Sequence, residues 1–115
     1  MARTRLRRVV SIALVFGVLL GALFAGAAVA RGPSVSIKGN YLSGYSFKPR
    51  KITVRKGATV DWSWNSDAAH NVTFRSLGKH SATKAKGSYH LKFRHKGTFR
   101  YRCTVHGFTG KIVVK

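Results

Sequence analysis

An all-β sandwich is predicted for the chain from Ser34 onward, on three observations. Apolar and β-branched residues alternate with period two, Gly, Pro, Asn and Asp cut the alternation into short runs, and no segment carries a helical period. Several short strands within about 85 residues favour a sandwich over a βα fold, and a chain of that size holds one domain.

The expected strands, in order, are "SVSIK" (34–38), "KITVRKGATVDWSW" (51–64), "HNVTFR" (70–75), "SYHLKFR" (88–94), "TFRYRC" (98–103) and "GKIVVK" (110–115). Between the second and third, "NSDAA" has the composition of a turn. A hairpin through His95-Lys96-Gly97 is expected to join "SYHLKFR" to "TFRYRC". Tyr89, Leu91, Phe93, Phe99, Tyr101 and Cys103 would then share an inward face, and Lys92, Arg94, Arg100 and Arg102 an outward cationic one.

The first thirty residues read differently. A basic cluster (Arg3, Arg5, Arg7, Arg8) leads into a nearly unbroken apolar stretch from Val9 that closes on Ala28-Val29-Ala30. That is the layout of a secretory signal peptide cut after Ala30. The stretch also approaches the ~20 residues of a membrane anchor, but the small-residue triplet favours cleavage. The expected organisation is a signal peptide at 1–30, a short linker at 31–33 and one domain at 34–115, delivered outside the cytoplasm as a secreted, periplasmic or cell-surface protein.

Charge narrows the partners. The leader takes four of the 22 Lys and Arg, leaving 18 against Asp61 and Asp67, a formal +16. Such a surface seeks anions. Behind a signal peptide, nucleic acid gives way to an acidic protein or an anionic membrane or wall surface; the bland alternative is that the lysines only confer solubility. The expected state is a monomer.

Cys103 is the single cysteine, so no intrachain disulfide can form. A nucleophile activated by His106 has only Asp61 and Asp67 to draw on for an orienting carboxylate, and neither sits in a catalytic motif. A buried inert thiol is the stronger competitor. Metal ligation explains more residues: thiolate is a soft donor, imidazole suits copper and zinc, and one Cys with two His is the electron-transfer copper arrangement. Cys103 and His106 could come from one short loop, with His70, at a strand boundary, the candidate third ligand. His80, His90 and His95 read as surface histidines.

The two halves of the domain together resemble a known family. "YSFKPRKITVRKGATVDWSWNSDAAHNVTF" is similar to the F-x-P-x-x-I-x-V-x-x-G-x-x-V-x-W stretch leading to H-N-V, and "GTFRYRCTVHGFTGKIVV" to the Cys-x-x-His ending, of the cupredoxins, the plastocyanin/azurin-like small blue copper proteins. The resemblance implies a Greek-key β-sandwich, no enzymatic activity, and one copper cycling between Cu(I) and Cu(II). It implies His70, Cys103 and His106 as ligands, with Asn71 where the family's backbone amide bonds the thiolate sulfur. The family's axial Met is missing, and the loop from Cys103 to Gly110 is one residue short; Thr109 stands nearest the missing position. The function implied is one-electron carriage between redox partners. A copper carrier or buffer of the same fold, and a metal-free basic sandwich on anionic surfaces, are the alternatives.

Overall fold

The computed structural model describes residues 32–115, so the expectations of a signal peptide or anchor at 1–30, and the first linker residue, lie outside the described residues. Among those residues no helix is long and apolar enough to cross a membrane. The strands are β1 Ser34–Asn40, β2 Gly44–Lys48, β3 Lys51–Val54, β4 Thr59–His70, β5 Thr73–Phe74, β6 Lys79–His80, β7 Lys84–Lys92, β8 Gly97–Arg102 and β9 Thr109–Val114. A 3-10 turn, Arg75–Leu77, joins β5 to β6.

They form the two sheets of a sandwich, β2-β1-β4-β7 and β3-β9-β8-β5-β6. Each contains one parallel neighbour pair, β1 with β4 and β9 with β3, while the other pairings are antiparallel. The run "KITVRKGATVDWSW" is thus two strands in different sheets, broken where Gly57 takes a φ of 94°. An L side chain rarely adopts that backbone, which is why glycine stands at the switch.

Alternation on β4 puts Val60, Trp62 and Trp64 inward from one sheet, and alternation on β8 and β9 puts Tyr101, Ile112 and Val114 inward from the other. Trp62 sits edge-on to Tyr101 (5.4 Å between centroids) and to Phe74 (5.6 Å), and Phe47 edge-on to Tyr101 (4.6 Å). These contacts tie the sheets together, since offset and T-shaped aromatic pairs add to the burial of their area.

The structure corrects the expected hairpin. β7 pairs with β4 and β8 with β9, so His95-Lys96-Gly97 belongs to a crossing from one sheet to the other. Tyr89, Leu91 and Phe93 still point into the core, as do Phe99, Tyr101 and Cys103, but from opposite sides. Lys92 and Arg100 therefore lie on outer faces of different sheets, and the single cationic face expected above does not exist.

One glycine is fixed by close approach. A Cβ on Gly110 would come within 2.5 Å of Cζ and Oη of Tyr101, its direct partner across β8 and β9. Gly110→Ala is expected to cost about 1–3 kcal/mol through overpacking. A urea melt matching that of the parent would show that Tyr101 swings aside freely.

Candidate metal centre

Three side chains meet at one end of the sandwich. His70 closes β4, Cys103 directly follows β8, and His106 lies in the connection to β9; one donor atom from each lies within 4.8 Å of the others. His70 and Cys103 are fully buried, whereas His106 is exposed.

A bulge brings His70 there. Between the pairs Asn65–Lys86 and His70–Lys84, β4 has four residues where its partner β7 has one. "NSDAA" is that bulge rather than a turn, because Asn, Ser and Asp favour irregular backbone in either setting. The bulge also returns Ser66 onto the ring it precedes. Ser66 Oγ lies 2.8 Å from His70 Nε2, while His70 Nδ1 faces Cys103 Sγ at 3.9 Å. In the tautomer with Nε2–H donated to Ser66, the Nδ1 lone pair is free for a metal, the usual way an outer partner orients a ligating imidazole. Burial pushes the His70 imidazole below its ordinary pKa, and the neighbouring His106 pushes the same way. The neutral ring is the ligating form.

The loop carrying the other two donors is tied at both ends. Cys103 N–H donates to the Phe108 carbonyl (3.0 Å) and Gly107 N–H to the Cys103 carbonyl (2.8 Å), with Gly107 at a φ of 82°. The described hydrogen bonds give Asn71 a side-chain part, distinct from the backbone-amide contact expected above. Its Oδ1 accepts from Thr104 N–H (3.1 Å) and Thr73 Oγ1 (2.8 Å), and its Nδ2 donates to Thr104 Oγ1 (2.8 Å) and Thr83 Oγ1 (2.9 Å). Asn71 thus fastens the residue after Cys103 to the strand that ends on His70.

Tyr45 and Ser66 escaped the sequence reading. The Tyr45 ring lies 4.5 Å from that of His70 and 4.8 Å from that of His106, in contact with both. Its hydroxyl donates to Asp67 Oδ1 (2.6 Å), and Tyr41 N–H donates to Asp67 Oδ2 (3.0 Å). The Tyr45 hydroxyl, then the Tyr41 amide, hold the Asp67 carboxyl below the usual range; reciprocally, the bond to Asp67 pushes the Tyr45 phenol up to about 12. Tyr45 and Asp67 are 22 residues apart, so no local pattern announces the pair. Asp61, the chain's other acid, contacts His90 on the outer face of β7. Neither carboxylate is directed at Cys103 or His106.

Thr109, nearest the missing Met position, is exposed, and its Oγ1 accepts from the Arg50 guanidinium (3.4 Å). Phe108 is half-buried instead, its ring 4.6 Å from Phe47, 5.5 Å from His70 and 6.4 Å from His106. His80, His90 and His95 are exposed and lie outside the cluster.

A buried thiol beside a neutral imidazole, with a second imidazole at the surface and no carboxylate among the donors, suits a soft, borderline ion. His70, Cys103 and His106 are positioned to form a single copper site. Residues 33–115 match the family described as copper binding proteins, plastocyanin/azurin family. Amicyanin-alpha of Methylorubrum extorquens is 31% identical over 121 aligned residues, covering 90% of this chain and 98% of that protein. Amicyanin of Paracoccus denitrificans is 34% identical, covering 80% of this chain and 72% of its own length. Among solved structures, a reduced Cu(I) amicyanin variant superposes with a TM-score of 0.63 at 32% identity, over 80% of this chain and 90% of that one.

Proposed function

The chain belongs to the plastocyanin/azurin family of copper-binding proteins, and on that premise we propose that it carries single electrons between partner proteins outside the cytoplasm. The observation that supports this most is the asymmetry of the donor set. Cys103 and His70 are sealed, and His106 alone is exposed, so one ligand edge meets the surface. Copper, when bound, supplies the one-electron Cu(I)/Cu(II) couple.

The rest falls to the chain's own side chains. Ser66 and Tyr45 hold His70, and Asn71 and the Cys103–Phe108 bond hold the loop, so the donors move little when the charge of the centre changes. Val105, exposed beside His106, offers an apolar rim where a partner can exclude water. The backbone amide of Asn71 is the proposed donor to the thiolate, which would tune its basicity. Extracytoplasmic delivery rests on the leader-like residues 1–30 with the domain at 34–115. A copper carrier or buffer of the same fold is the second reading. The missing axial Met motivates it, whereas the sealed Cys103 weighs against it, since a carrier or buffer gains from open exchange.

Copper titration of histidine variants tests the assignment. His70→Ala and His106→Ala should each weaken copper binding at least tenfold, about 1.4 kcal/mol, while His80→Ala and His90→Ala leave it unchanged. Equal losses at all four positions would dissolve the cluster.

A further inference from the structure

The outer face of the five-stranded sheet holds a cleft of about 470 Å³ lined by Arg50, Lys51, Arg75, Arg100, Arg102 and Lys111. Strand register builds it. Lys111 on β9 stands directly opposite Lys51 on β3 and Arg100 on β8, so three cations share one row. In the next row Arg102 is flanked by Thr109 and Thr73. Like charges directly opposite one another destabilise a sheet, and Lys111 is half-buried between its two. The chain's two acids give no relief: Asp61 is with His90, Asp67 with Tyr45, and neither lines the cleft.

The cleft also abuts the metal centre. Arg102 immediately precedes Cys103, and its guanidinium lies 3.7 Å from where a Cβ on Gly107 would stand, alongside the ligand loop. Arg50 reaches the other flank of that loop through Thr109. Guanidinium forks pair with carboxylates bidentately, and four of them line this one concavity.

We propose that this cleft docks the acidic surface of the redox partner, a one-electron protein whose carboxylates pair with Arg75, Arg100 and Arg102. The docked partner then lies beside the end of β8 that leads into Cys103. With copper held by His70, Cys103 and His106, the reduced partner would give up one electron there and become oxidised, or take one back in the reverse exchange. This rests on the electron-carrier reading above, but docking itself requires no copper.

The first arm therefore uses the metal-free protein with a hexaglutamate peptide as the carboxylate probe and tripolyphosphate as the phosphate probe, both followed by calorimetry. The triple variant Arg75→Ser, Arg100→Ser, Arg102→Ser should weaken hexaglutamate binding at least about tenfold. The control variant Lys56→Ser, Lys96→Ser, Lys115→Ser removes the same charge around a separate concavity at the other ends of β3 and β9, and should change it less than about twofold. Lys111→Glu should weaken binding while raising Tm, because it breaks the row of like charges. Equal loss in both triple variants, or binding of tripolyphosphate without hexaglutamate, overturns the proposal. In the second arm, oxidation of the copper-loaded reduced protein by hexacyanoferrate(III) should be slowed competitively by hexaglutamate in the parent and not in the arginine variant. If hexaglutamate binds yet the reduced copper form is not oxidised at all, the electron-carrier reading fails and the docking site stands.

Discussion

Cys103→Ser is expected to remove the thiolate-to-copper absorption completely while the sandwich still folds. The charge-transfer band requires a soft, ionised sulfur, and a serine hydroxyl is neither soft nor readily ionised. Cys103 is fully buried and serves the fold only as a small side chain at the end of β8. Its replacement leaves a hydroxyl in that site, with an expected stability cost of about 1–3 kcal/mol. Circular dichroism and a urea melt would separate lost colour from lost fold. Colour that survives in the folded variant would mean that the sulfur is not a ligand.

That centre was partly legible in the sequence. Cys103 and His106 are three residues apart and announce themselves; His70 is legible mainly through the resemblance, because its position depends on a bulge whose residues carry the same composition as a turn. Inward and outward faces followed from period two, and Phe93, Tyr101 and Cys103 are buried as expected. Which strands pair did not follow. Alternation states which face of a strand meets the core but not which sheet the strand joins, so "SYHLKFR" and "TFRYRC" fit a hairpin as well as the sheet crossing they form. Tyr45 and Asp67 were invisible for a related reason, since their bond spans 22 residues and joins the strand β2 to the bulge in β4.

Inserting Met between Phe108 and Thr109 should lower the reduction potential. The loop closes on itself through the Cys103 N–H to Phe108 carbonyl bond, and the next residue, Thr109, already turns outward toward Arg50. Phe108 packs against Phe47 and the His70 ring, and a phenyl ring donates no electron pair to a metal. A copper held here with little donation from this loop to stabilise Cu(II) would favour its reduced state. A thioether at the family spacing reverses this, and a tenfold gain in the relative affinity for Cu(II) corresponds to about 59 mV for a one-electron couple. A fall of at least that size in voltammetry is expected. An unchanged or raised potential would mean that a comparable donor already fills the axial direction.

The most direct measurement is the visible spectrum of the metal-free protein as Cu(II) is added to one ion per chain. An intense thiolate-to-copper band in the orange-red, saturating at that stoichiometry and bleached by ascorbate, is the expected result. A protein that stays colourless with copper, or that takes up zinc alone at His70, Cys103 and His106, contradicts it.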